Sequence, residues 1–335
     1  MKPLTAEAIE TPSAPLSAEM LLAIETEAGS VLESPRSWRR IVIGLVRNPS
    51  SLLGLVLIVF YVVVALAAPA LAPCPLEDPV LSRRCKTDSY QIPRYGYFRE
   101  PSPPSDVHPF GTTSDQYDIY YGVIWGTRTA FRVGLVITAM ALLIGLTVGS
   151  IAGYYGGWID ESLMRIVEIF QAFPYLLAAI TLAAILGRGV VPTMIALTVF
   201  GWTGYARLVR SDILSVKQRE YVQAARSLGA SDARIILRHV LPNSIFPVLV
   251  LASLEIGTAV LSFAALSFFG LGVPDGFADW GQMISNSRNK IFNLDEYWYI
   301  VVFPGMAIVF FSLAWNLIGD TFRDLLDPRL VAGKQ

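Results

Sequence analysis

Six stretches of this chain, each about as long as a bilayer is thick when coiled into a helix, carry no charged side chain or only one. They are Ser51 to Ala72, Val133 to Gly153, Ile169 to Gly187, Gly189 to Ala206, Val240 to Gly272 (interrupted by Glu255 alone) and Tyr297 to Gly319. A hydrocarbon core about 30 Å deep takes about 20 apolar residues per helix. Because lipid offers the backbone no hydrogen bonds, a spanning segment must satisfy its own, as a helix does. The spacing therefore predicts an all-α polytopic membrane protein with six transmembrane helices. The third and fourth stretches, separated only by Arg188, read as a tight helical hairpin. Composition agrees: 53% hydrophobic and 16% charged residues, with mean hydropathy +0.51, exceed what a soluble core needs.

The formal charge of -1 gives no footprint for nucleic acid, so the basic residues matter by position. Arg36, Arg39, Arg40 and Arg47 precede the first stretch. Arg207, Arg210, Lys217, Arg219, Arg226, Arg234 and Arg238 lie between the fourth and fifth, and Arg323, Arg329 and Lys334 close the chain. Basic connections face the cytoplasm, which puts both termini inside. The first outer loop also carries Arg83, Arg84, Lys86, Arg94 and Arg99, but long loops translocate with little regard for charge.

The expected organisation is an acidic cytoplasmic tail over residues 1–35, then a lead-in and first span over 36–72 and an exported loop over 73–127. A core of five spans over 128–325 contains a cytoplasmic connection at 215–243, and a short tail covers 326–335. The tail lacks the basic start and early apolar run of a cleaved signal. Its stretch from Leu16 to Glu33 has helix-like apolar spacing, and we read it as a mobile tail with a transient helix. Cys74 and Cys85 share the exported loop, where the residues leave a disulfide and two free thiols equally open.

The connection EYVQAARSLGASDARIILRHVLPN, Glu220 to Asn243, differs most from its surroundings. Tyr221, Ala224, Ala225 and Leu228 recur at helical spacing on one face, with Gln223 and Arg226 elsewhere. Gly229 suits the residue just past a helix, Ser231 suits an N-cap, and Asp232 suits a helix's positive first turn. Pro242 marks a break before the next span. The pattern is helix, glycine turn, helix. On spacing alone three readings stand: a helix that seats in a partner, an amphipathic helix on the lipid surface, and a solvated loop.

These residues resemble the "EAA" loop of ABC-transporter permeases, in which paired alanines are followed by a glycine and a downstream Leu-Pro. Here those are Ala224, Ala225, Gly229, Leu241 and Pro242, with Gln223 where Glu is common. RSWRRIVIGLVRNPSSLLGLVLIV, HPFGT, GTRTAFRVGL, YYGGWIDESLMRIVEIFQAFP, YARLVRSDIL, LSFFGLG, DWGQMI and PGMAIVFFSLAWNLIGDTFRDLLDPRL extend the likeness in order from Arg36 to Leu330. Together they are similar to the second permease of the dipeptide/oligopeptide/nickel uptake group. Two departures stand out: GTTSDQYDIYYG replaces a commoner exported sequence, and Phe263 stands where an acidic residue is frequent.

The resemblance implies a type I ABC importer permease fold in the cytoplasmic membrane of a prokaryote. Its partners would be a second homologous permease, two ATPase subunits, an extracytoplasmic solute-binding protein and membrane lipid. It implies no catalytic residue and no cofactor on this chain, with ATP and Mg held by the ATPase subunits; the sequence lacks a phosphate-cradling G-x-x-x-x-G-K-[ST] loop. Glu220, Tyr221, Gln223, Ala224, Ala225, Arg226, Leu228, Gly229, Ser231 and Pro242 become the ATPase-coupling loop. The substrate implied is a peptide, with nickel chelates and sugars as alternatives; an ion-coupled secondary transporter would not need this loop.

Glu255 has two readings: a pathway residue, or a carboxyl hydrogen-bonded to a neighbouring span near the cytoplasmic third of its helix. Trp202 and Tyr205 read as packing or interfacial anchors. His108 and His239 lack companions at ligand spacing, so no metal site is expected. The exported stretch Val273 to Glu296 reads both as a short helix along the membrane face and as a loop over the pathway mouth.

Overall fold

A computed structural model describes residues 48–73, 90–96 and 100–326. The N-terminal tail, Cys74 and Cys85, and the last nine residues lie outside the described residues. Helix α1, Pro49–Leu71, starts where Asn48 accepts a hydrogen bond from the Ser50 amide and Pro49 fills the first turn. Pro69 lies inside it and cannot donate to the carbonyl of Ala65. Arg128 of the next helix supplies the missing donor, its Nε bonding to Ala65 O and its Nη2 to Leu66 O.

That next helix, α2, runs Ile119–Tyr155, 37 residues. Asp118 caps it by accepting from the Tyr121 amide at 2.9 Å. Helix α2 therefore starts inside the stretch expected to be an exported loop, residues 73–127. Arg128 and Arg132 hid the first 14 residues of the helix from a search for uncharged windows; Arg128 spends its charge on α1 carbonyls and on the Trp125 ring, 4.8 Å away.

Helices α3 (Gly157–Gln171) and α4 (Tyr175–Leu186) meet at 83°, with Pro174 at the start of α4. The third apolar stretch is thus a bent pair rather than one straight helix. Helix α5 (Val190–Gly201) returns beside α4, which forms the expected hairpin around Arg188. Helix α6 (Thr203–Val216) follows after Trp202, whose backbone stays helical at φ -77° and ψ -19°. Short helices α7 (Glu220–Ser227) and α8 (Asp232–Ile235) lead through a π turn, Ile236–Val240, into α9, Leu241–Phe268. Helix α10 (Trp280–Asn286) and a 3-10 turn precede α11, Leu294–Leu326.

Four of the described segments are long and apolar enough to cross a membrane: α1, α2, α8 through α9, and α11 from Tyr299; counting the bent pair α3–α4 as one broken span gives five. Among the described residues there is no strand, only isolated bridges such as Arg94 with Tyr117.

Small residues set the closest approaches. Gly145, Gly149 and Gly153 form a stripe on α2 against Tyr205, Ala206, Val209 and Ile213 of α6. A Cβ at Gly149 would lie 2.5 Å from the Ala206 carbonyl oxygen, so only glycine permits this contact. On the outside, Val56, Phe60, Val63 and Leu66 of α1 are more than half exposed, an apolar face suited to lipid. Trp202 and Tyr205 are buried, in packing positions rather than at an interface. Helix α10 is also buried: Trp280 and Met283 are at most 2% exposed, and it packs against α9, α11 and α2.

Candidate coupling site at the ends of the helices

Helix α7 is eight residues long and is held by one inward side chain, Val222, which is 1% exposed. Glu220 in its first turn and Arg226 in its last both oppose the helix dipole. Its end is a complete Schellman motif. The Gly229 amide donates to Arg226 O at 3.0 Å and the Ala230 amide to Ala225 O at 3.1 Å, with Gly229 at φ +80°. The opposite face points outward: Tyr221 is 44% and Leu228 88% exposed, with Ala224 between them and Ala225 half-buried. Gln223 is exposed and donates to Gln218 O, 3.1 Å away.

Five side chains absent from the sequence-based list, Tyr154, Asp232, Lys217, Arg210 and Asp160, tie this loop and the helix ends beside it together. Tyr154, in the last turn of α2, donates to Asp232 Oδ1 at 2.6 Å and accepts from Arg226 Nη2 at 3.2 Å. Arg226 also lies over the Tyr154 ring, 5.5 Å from its centre. One phenol therefore joins α2 to both sides of the Gly229 turn. Lys217 at the end of α6 donates to the Gly153 carbonyl at 2.7 Å, which caps α2. Arg210 of α6 grips Asp160 of α3 through two bonds. The clue in the sequence is positional: Tyr154, Asp160, Lys217 and Asp232 each fall within one turn of a helix's end.

Ser231 occupies the N-cap position of α8 but makes no side-chain capping bond. Pro242 requires a correction, since it does not break the chain before the span. The helix runs on from Asp232 to Phe268, and the π turn, closed by the Leu241 amide on Ile236 O, widens the backbone just before the proline ring. Glu255 sits near the middle of α9 and is half-buried. It lies within electrostatic reach of Tyr175 and Tyr205, whose hydroxyls point toward the same region. Among the described residues no group of three metal-ligating side chains occurs; His108 instead pairs with Asp118 at 3.0 Å.

A bundle of long apolar helices, with a clamped and outward-facing helix pair at one end, defines a multi-pass membrane protein. The chain belongs to the binding-protein-dependent transport system inner membrane component family, the permeases of ABC importers, whose model matches residues 145–332. A second model, the N-terminal TM domain of oligopeptide transport permease C, matches residues 37–92. The chain is 37% identical over 293 residues to a dipeptide transport system permease of Alkalihalophilus pseudofirmus, covering 88% of this chain and 90% of that one. It is 39% identical over 236 residues to a glutathione transport system permease of Pectobacterium atrosepticum, covering 70% and 77%. A probable D,D-dipeptide transport system permease of Escherichia coli is 42% identical over 233 residues, covering 70% and 77%.

Proposed function

We propose that this chain forms half of the pathway of a peptide importer in the inner membrane of a bacterium. Its partners are a second permease, two ATPase subunits that hold ATP and Mg, and an extracytoplasmic solute-binding protein. The peptide assignment is supported by the names of the relatives, which include permeases for dipeptides and glutathione. Six spans are formed by α1, α2, α3–α4, α5–α6, α8–α9 and α11, with both termini cytoplasmic, an orientation supported by the basic residues around α7 and α8. Residues 73–127 are then exported, residues 215–243 are cytoplasmic and the two terminal tails flank the core. Catalysis belongs to the ATPase subunits.

The observation that carries this reading is α7 itself, an isolated short helix with Tyr221, Ala224 and Leu228 facing solvent and its other side clamped by Tyr154. An ATPase groove takes the outward face. Closure of the ATPase dimer on ATP displaces α7, and the Gly229 turn passes the motion to α8–α9, opening the pathway outward. Ala225→Asp is the test. An unpaired carboxylate at that contact costs several kcal/mol on desolvation, roughly enough to release the subunit. Co-purified ATPase subunits are expected to fall away while the second permease stays. A variant that keeps its ATPases and transports at the wild-type rate refutes this docking.

A further inference from the structure

At the opposite end of the bundle a cavity of about 430 Å³ opens between the α4–α5 turn, the end of α9 and α10. We propose that it is a subsite for the charged ends of a zwitterionic peptide, with Arg188 and Arg288 taking the carboxylate and Asp275 and Asp115 the ammonium. The inference rests on the peptide-import reading and adds to it a place on the permease where the cargo is held.

Every residue lining the cavity except Gly270 is polar or charged. Such a wall has nothing with which to grade apolar side chains, and it suits what all free peptides share, their two ends. Both signs of charge are present and only loosely paired: Arg188 Nη2 stands 3.5 Å from Asp275 Oδ1, and both side chains are more than half exposed. The guanidinium fork is matched to a carboxylate. At the floor, Gln282 is 2% exposed; its amide nitrogen donates to Asp275 Oδ1 at 2.9 Å and to Asn286 Oδ1 at 2.8 Å. Those two bonds fix the Asp275 carboxylate at the cavity wall.

Asp115 adds a second acidic group. Burial pushes its carboxyl up, Arg94 opposes that, and the negative charge of Asp275 adds to it. A bound ammonium relieves that crowding. Asp115 belongs to the exported segment GTTSDQYDIYYG, which departs from the commoner sequence of similar permeases. A small molecule is favoured over a protein surface because the charged groups of both signs line a concavity, which a flat partner does not fill.

The test uses the purified importer in nanodiscs without its receptor, probed by saturation-transfer NMR with Ala-Ala and with N-acetyl-Ala-Ala-amide, which lacks both charges. The free dipeptide is expected to bind at least tenfold more tightly than the blocked one. Arg188→Gln and Asp115→Asn, both at exposed side chains and so tolerated by the fold, are each expected to weaken it by about tenfold, the worth of about 1.4 kcal/mol. Equal binding of the two peptides, or wild-type binding in both variants, overturns the proposal. So does absence of peptide binding by the wild type together with loss of receptor-stimulated ATPase in the variants, which makes the cavity a receptor contact. Uptake of Ala-Ala by proteoliposomes with receptor present separates the two levels: no uptake sinks peptide import, whereas uptake without binding here sinks only this subsite.

Discussion

Tyr154→Phe isolates the clamp on the coupling loop. The ring is 5% exposed, and the substitution leaves its packing against Tyr155 and Arg226 in place while deleting one oxygen. That oxygen donates at 2.6 Å to Asp232 and accepts at 3.2 Å from Arg226. Hydrogen bonds to charged groups contribute about 1.5 to 3 kcal/mol. Both charged partners are exposed and keep water when released, so the lower end applies, about 1.5 kcal/mol. That is about a tenfold shift toward the released loop. Amide hydrogen exchange over residues 221–232 of the intact complex is expected to quicken about tenfold, while the thermal midpoint barely moves because no core volume is lost. With α7 free to move without α2, ATP hydrolysed per peptide transported is expected to rise. Wild-type exchange with wild-type stoichiometry refutes the clamp.

Gly149→Val puts a branched side chain where a Cβ already meets the Ala206 oxygen at 2.5 Å, so thermal unfolding is expected to show a loss of about 1 to 3 kcal/mol or outright failure to assemble, whereas Gly204→Ala, with nothing within 4 Å, is neutral. Burial raises the Asp279 carboxyl from 3.8 to about 6, so the folded state binds that proton more tightly than the unfolded state. Its contribution to stability is then full below about pH 4 and is lost as pH rises through 6. Hydrogen exchange in α10 is expected to quicken over that range, and Asp279→Asn is expected to abolish the dependence. Arg128→Leu leaves the α1 carbonyls beside Pro69 without their donor and is expected to cost about 2 kcal/mol, read as a lower melting temperature.

The spans were legible because lipid demands long uncharged runs, and the Gly229 turn because a residue held at φ +80° is strained unless it is glycine. What escaped was pairing between elements. The stripe Gly145, Gly149, Gly153 is visible in the sequence, yet its meaning depends on α6 lying opposite. Tyr154 reads as an interfacial aromatic until Asp232 and Arg226, some 70 residues on, are seen beside it. Val222 was missed for the same reason: one inward residue in an otherwise exposed turn leaves no periodic trace. Prolines were the least legible, because their effect depends on which group receives the freed carbonyl. Arg128 rescues the helix at Pro69, a π turn admits Pro242, and only at Pro174 does the chain bend by 83°.

The survival of the helix at Pro242 has a mechanical consequence. From Asp232 to Phe268 the chain is a single rod of 37 residues, about 55 Å at 1.5 Å per residue. A rod with a break at residue 242 would absorb a push from α7 in the break, whereas a continuous one carries it across the membrane. Both of its ends are glycine turns of the same kind: at the far end the Gly270 amide donates to Ser267 O and the Leu271 amide to Leu266 O, with Gly270 at φ +80°. Gly229 joins the rod to the helix that meets the ATPase on the proposed function, and Gly270 lines the cavity assigned to the peptide. The two proposed sites therefore lie at the two ends of one continuous helix, with the π turn and Pro247 inside it, so displacement at one end is expected to pass along its backbone to the other.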